Sequence, residues 1–198
     1  MKLDEAACRC DVEGRMIPMP ITIQDLKKAI RSVPDFPRKG IVFRDITTLI
    51  KDGRLFRASV DALCEWCGKK KIDAVVCMES RGFIFGAAIA YRLGAGVVPV
   101  RKKGKLPHDT YTAEYELEYG TDALEMHRDA FAPGSSVIIV DDLLATGGTA
   151  AATARLVKNL KAKIEGIAFV IELSFLKGRE KLKGYEVFSL VQYESEDE

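Results

Sequence analysis

The sequence has no surplus of either charge: 30 lysine and arginine residues stand against 29 aspartate and glutamate. Nucleic-acid and membrane-surface proteins usually carry a basic excess, so this balance counts against both classes. No stretch approaches the roughly 18 apolar residues of a membrane span. The first twenty residues, MKLDEAACRCDVEGRMIPMP, lack the apolar core of a secretion signal, so a cytoplasmic protein is expected. The five cysteines are odd in number and irregularly spaced, which excludes a disulfide framework. Cys64 and Cys67 form a CxxC, but no second pair or nearby histidine completes a zinc site. With Phe56, Val60 and Leu63 they share one helical face, so a core-facing stripe is expected. Internal repeats and linkers are absent too, which leaves a single domain over 1–198 with a loosely ordered extension at 1–20.

What the chain does have is alternation. Residues 22–33, TIQDLKKAIRSV, carry Ile23, Leu26, Ala29, Ile30 and Val33 at helical spacing behind a Thr22 cap, and Pro34 and Pro37 end the pattern. A second helix is predicted over 54–71. Apolar strands follow at 73–78, 97–101, 137–140, 167–173 and 185–190, with helices at 83–93 and from the 140s to about 161. Such alternation predicts an α/β fold with a mainly parallel sheet covered on both faces. Sheets of this kind bind ligands beyond the carboxyl ends of their strands.

The loops at those ends are unusual. In VIIVDDLLATGGT (137–149) an apolar strand runs into Asp141 and Asp142, then a Thr-Gly-Gly-Thr turn opens a helix. Ionised carboxylates only accept hydrogen bonds, which suits a vicinal diol with two hydroxyl donors. Gly147 and Gly148 let a ligand approach the backbone, Thr146 and Thr149 add hydroxyls, and the helix start offers free N–H groups to an anion. Diol and phosphate together describe a ribose 5-phosphate. A Walker A loop needs a lysine that this loop lacks. A dinucleotide fingerprint needs GxGxxG, with its acid about twenty residues after the loop rather than before it.

This segment resembles the signature of the type I phosphoribosyltransferases. The resemblance continues through PDFPRKGIVFRDIT (34–47), ESRGFIFG (79–86), RKKGKLP (101–107), LEYGTDALEMH (117–127) and ELSFLKGREKL (172–182), covering roughly 22–190. Together these motifs are most similar to the members that use adenine. The resemblance implies an N-terminal hood (21–50), a mobile lid (102–119) and a sugar-phosphate loop of Asp141, Asp142, Ala145, Thr146, Gly147, Gly148 and Thr149. It implies a pyrophosphate site of Ser80, Arg81, Arg101, Lys102 and Lys105, with a cis Glu79–Ser80 bond, and Arg101 able to reach a neighbouring subunit's site. It assigns the base to Phe43, to backbone groups around Val42 and Arg44, and to Leu173. Within EYELEY, spacing alone does not choose among Glu114, Glu116 and Glu118; the family pattern singles out Glu118 as acid/base partner of the purine. Ala145 stands where hypoxanthine–guanine members carry an acid, which favours adenine.

The reaction implied is adenine plus phosphoribosyl pyrophosphate giving AMP and pyrophosphate. Mg²⁺ would be held mainly through substrate oxygens and water rather than at a dedicated protein site. A homodimer is expected, with no nucleic-acid or membrane partner. A phosphoribosyl-pyrophosphate-sensing regulator is the rival from another class, but it would need a DNA-reading module for which the first twenty residues leave no room.

Overall fold

The computed structural model describes residues 8–10, 16–18, 21–116, 121–196 and 198. Two short strands lie within the expected N-terminal extension. Strand β1 (Cys8–Cys10) pairs antiparallel with β2 (Met16–Pro18), Arg9 opposite Ile17. Backbone pairing satisfies main-chain donors and acceptors whatever the side-chain pattern, so polarity alone did not reveal it.

Helix α1 (Ile23–Ala29) opens on a reciprocal cap: the Asp25 N–H donates to Thr22 Oγ1 (3.2 Å), and the Thr22 N–H donates to Asp25 Oδ2 (2.9 Å). The helix is shorter than predicted. Residues Arg31–Val33 instead form strand β3, antiparallel to β4 (Phe43–Asp45). The Arg31 N–H donates to Thr48 Oγ1 (3.2 Å) and its Nη2 to Asp45 Oδ2 (2.5 Å). These partners lie well downstream, where local periodicity cannot register them. Helix α2 (Thr47–Ile50) follows. Helix α3 (Gly53–Cys67) is capped by Asp52 and ends at Gly68, whose φ is +60°, before the predicted residue 71. Its inner face buries Val60, Leu63 and Cys67, and burial pushes the Cys67 thiol up to about 11.

The central sheet uses β5 (Ala74–Met78), β6 (Gly96–Lys102), β7 (Thr110–Glu116), β8 (Thr121–His127), β9 (Ser136–Leu144), β10 (Lys163–Leu173) and β11 (Val187–Tyr193). Its order is β11-β10-β9-β5-β6-β8-β7; the first five strands run parallel, and β8 and β7 add an antiparallel edge. Strand β8 was not anticipated. Within the stretch that the resemblance makes a mobile lid, Thr110–Glu116 form the edge strand β7 with Glu114 exposed, which agrees with reading the alternating glutamates as the wet face of an edge strand.

Every residue of β5 is buried, because helices cover both faces. Val75 and Cys77 pack with α1–α3 and with helix α4 (Gly82–Leu93), while Ala74, Val76 and Met78 pack with helix α5 (Gly148–Asn159). Burying each such valine or methionine contributes about 1.5–3 kcal/mol relative to exposure. From β5 the chain crosses through α4 to β6 on one side. From β9 it crosses through α5 to β10 on the other. Strand order therefore reverses between β5 and β9, and the loops leaving their carboxyl ends diverge to open a crevice.

Candidate active site

The loop after β5 and the end of β9 face each other across that crevice. Strand β9 runs on to Leu144, so Asp141 and Asp142 lie within it rather than after it, as the sequence had suggested. The neighbouring strand explains the difference: β10 continues pairing, Phe169 opposite Asp141 and Ile171 opposite Leu143. Both acids are buried, at 8% and 6% exposure. Burial first, and then the charge of Asp142, drives the Asp141 carboxyl well above its ordinary value. Burial also raises Asp142, while the Arg81 guanidinium opposes that rise. The Asp142 N–H donates to Asp141 Oδ1 (2.9 Å).

Arg81 joins three expected regions. Its Nε lies 2.8 Å from Asp142 Oδ2, and its guanidinium lies 5.0 Å from the centroid of the Phe43 ring. Phe43 also meets Phe36 edge-on at 5.2 Å. Phe43, Arg81 and Asp142 thus form one chain of contacts.

Beyond the acids, a pocket is lined by Asp141, residues 143–150 and Phe169, which includes Ala145, Thr146, Gly147, Gly148 and Thr149. Gly147 sits at φ +77° just before α5 begins. A Cβ there would overlap the Gly178 carbonyl oxygen, so both conformation and space demand glycine. The free N–H groups of a helix's first turn and the positive end of its dipole suit this loop to an anion.

The Glu79–Ser80 peptide bond is cis, as the resemblance implied. Around it the basic run is gathered by a residue the sequence reading passed over. Glu79 accepts from the Lys102 N–H (3.0 Å), Arg101 Nε (3.2 Å) and Lys105 Nζ (2.5 Å). Burial alone would raise its carboxyl, but Lys105, the Lys102 amide and Arg101 hold it below the ordinary range. Lys102 Nζ lies 3.2 Å from Asp122 Oδ2. A usable signal existed: Met78 pairs with Val100, so the next residues of parallel strands, Glu79 and Arg101, become neighbours.

A second unnoticed group supports the anion loop. A Cβ on Gly178 would overlap the Ala145 carbonyl oxygen, so the turn at Gly178–Leu182 buttresses that loop backbone against backbone. Arg179 holds the turn with two 2.7 Å contacts to Glu172 and one of 2.9 Å to the Val187 carbonyl. Leu173 is half-buried at the end of β10 and packs against the α1–α4 side of the core. Arg44 is buried, with its side chain turned away from Arg81 toward Ser32 and Glu196. Glu118 lies outside the described residues.

A reversed strand order with an acid pair and an anion loop at the switch point defines a phosphoribosyltransferase-type α/β protein. The phosphoribosyl transferase domain family matches residues 47–196. The adenine phosphoribosyltransferase of Clostridium perfringens (strain 13 / Type A) is 62% identical over 169 residues, which is 85% of this chain and 98% of that protein. The crystal structure of the enzyme from Thermoanaerobacter pseudethanolicus superposes with a TM-score of 0.85 at 53% identity, covering 87% of this chain and all of that one. The Saccharomyces cerevisiae enzyme, solved with adenine and an imino-altritol bisphosphate, gives 0.81 at 48% identity over 85% and 97% of the two chains. The chain belongs to the phosphoribosyltransferase family, in its adenine phosphoribosyltransferase branch.

Proposed function

We propose that the crevice transfers the 5-phosphoribosyl group of phosphoribosyl pyrophosphate to adenine, giving AMP and pyrophosphate, a purine-salvage step. The observation that carries this reading is the contact chain from Phe43 through Arg81 to Asp142, which brings a base-stacking ring, an anion-gripping guanidinium and a diol acceptor to one place. In this reading residues 21–50 form the hood and 102–119 the lid. Phe43 stacks on the purine, Leu173 closes its other side, and backbone groups around Val42 and Arg44 read its edge. Asp141 and Asp142 hold the ribose hydroxyls, and the loop from Ala145 to Thr149 takes the 5′-phosphate. Ser80, Arg81, Arg101, Lys102 and Lys105 neutralise the leaving pyrophosphate. Departure leaves positive charge on C1, and charge neutralisation with positioning of the base supplies most of the rate enhancement. Glu118 handles the purine proton.

Among the described residues no group of three or more His, Cys, Asp or Glu could hold a metal ion. Two adjacent carboxylates beside a polyanion site suit Mg²⁺, which keeps much of its water and binds through one or two carboxylates and substrate phosphates. Bound there, it would screen the pyrophosphate charge. A homodimer belongs to this reading: Ile84, Tyr91 and Val97 offer exposed apolar surface on α4 and β6, and light scattering would report the doubled mass. So does a cytoplasmic location; among the described residues no helix is long and apolar enough to cross a membrane.

The deciding experiment is pyrophosphate release with each purine offered separately. AMP formation from adenine, silent with guanine and hypoxanthine and abolished by chelating Mg²⁺, is expected. Turnover of another base alone would reassign the substrate, and phosphoribosyl pyrophosphate binding without any turnover would favour the regulator. Arg81→Ala adds a sharper test. It should weaken pyrophosphate binding about tenfold or more, since hydrogen bonds between charged groups exceed neutral ones. AMP, which has no pyrophosphate, should lose less. Equal losses by calorimetry would remove Arg81 from the pyrophosphate site.

A further inference from the structure

Val42 supplies one of the backbone groups that read the base in the function proposed above, and its N–H is already engaged within the chain. It donates to Glu196 Oε1 at 3.0 Å. Glu196 follows β11, beyond the motifs that carry the family resemblance, and is half-buried. An ionised carboxylate is purely an acceptor, and so is a bare ring nitrogen on the edge of a purine. Val42 has one backbone N–H to offer, so the two acceptors exclude each other.

The segment that carries Glu196 is anchored by contacts of its own. Arg44 Nη2 donates to the Glu196 carbonyl at 2.8 Å, and the Arg44 guanidinium lies 4.0 Å from the Tyr193 ring centroid. Lys27, on α1, donates to the Gln192 carbonyl (2.8 Å) and pairs with Glu198, whose Oε2 accepts from the Glu194 N–H (2.8 Å). Arg44 is only 3% exposed, and a buried cation is costly unless its donors are satisfied, which favours keeping the Glu196 carbonyl in place. The bond to Val42 is of another kind. It belongs to the side chain, so rotation about the Glu196 side-chain bonds releases the amide while the carbonyl stays on Arg44.

We propose that the Glu196 carboxylate is an internal competitor of the base: it takes the Val42 amide when no base is bound and turns away when the base edge is read, so it sets the affinity for the base. The inference rests on the base site proposed above. When only a fraction of the molecules is competent to bind, the apparent constant rises by the reciprocal of that fraction. A hydrogen bond to a charged acceptor corresponds to about a tenfold effect. AMP carries the same base edge and meets the same competitor. Phosphoribosyl pyrophosphate, whose proposed contacts lie on the loops after β5, β6 and β9, does not.

The test compares the full chain with its Glu196→Ala and Glu196→Gln variants, and includes Phe43→Ala as a check on the base site itself. KM for adenine, KM for phosphoribosyl pyrophosphate, the calorimetric Kd of AMP and amide exchange at Val42 are measured. Glu196→Ala should lower KM for adenine and Kd for AMP about tenfold. KM for phosphoribosyl pyrophosphate should stay within about twofold. Glu196→Gln keeps an acceptor without the charge and should fall between the other two. Without ligand, the Val42 amide should exchange faster in Glu196→Ala than in the full chain. Saturated with AMP, the two should exchange alike, because the base then holds that N–H in both. An unchanged or raised KM for adenine in Glu196→Ala would overturn the proposal, as would equal falls in both KM values or an exchange difference that persists under AMP. Phe43→Ala should raise KM for adenine. If it does so while Glu196→Ala leaves that KM unaltered, the competitor falls alone; if it does not, the base site falls and takes the competitor with it.

Discussion

Replacing Asp141 with asparagine should make the protein more stable near neutral pH while weakening its hold on phosphoribosyl pyrophosphate. Burial and the adjacent Asp142 raise the native Asp141 carboxyl well above its ordinary value, so the folded state binds this proton more tightly than the unfolded chain. Stability from that proton is complete below the ordinary carboxyl range and is lost as pH rises through the raised native value. Asparagine has no charge to bury, and its oxygen can still accept the Asp142 N–H. Melting temperatures of both proteins, taken below the carboxyl range and again near neutrality, should converge at low pH and separate at high pH with the variant above. The ligand side runs the other way: a hydroxyl donating to an amide oxygen loses the charge-assisted part of the bond. Calorimetry with Mg²⁺ should show roughly a 10–100-fold weaker complex. Unaltered affinity would remove the diol assignment, and a less stable variant at neutral pH would contradict the electrostatic argument. Asp142→Asn should gain less stability, because it also deprives Arg81 of its ion-pair partner at 2.8 Å.

Glu118→Ala should lower kcat by about 10²–10⁴-fold, the usual contribution of a positioned general acid or base. Binding of phosphoribosyl pyrophosphate should change little, because its proposed contacts lie on the loops after β5, β6 and β9. Glu114→Ala is a clean control: Glu114 is exposed on the edge strand, paired through its backbone with β8, and Arg155 donates to its backbone carbonyl rather than to its carboxylate. Glu116→Ala extends the comparison along the same strand. Glu118→Gln should recover part of the loss if hydrogen bonding outweighs charge. Rates must be read in single turnovers, where chemistry rather than product release is observed. Should all three alanine variants keep near-normal kcat, the catalytic assignment of Glu118 has to be withdrawn.

The sequence carried the sheet because each central strand is covered on both faces, and such strands must be continuously apolar. AVVCM and VIIV read as strands for that reason alone. It carried the loop chemistry because glycines, threonines and paired acids directly after those runs have few structural uses and an evident ligand use. It misjudged 31–33, where strand pairing with 43–45 overrode helical spacing, and it did not reveal β8, whose alternation is interrupted by charge. The ends of β9 and α3 moved for local reasons, continued pairing with β10 in one case and a glycine at φ +60° in the other.

By itself, then, the amino-acid order determined the α/β alternation, the positions of the ligand loops and the kind of ligand they suit. Those properties depend on local chemistry and short-range periodicity. Only the tertiary structure decided which polar groups meet: Arg81 with Asp142, Glu79 with three groups of the basic run, Arg179 with Glu172, Glu196 with the Val42 amide. Each pairing depends on strand order or on a turn's approach to another loop. Electrostatic attraction acts through space between groups that folding has already brought within a few ångströms, and one-dimensional spacing contains no record of that distance.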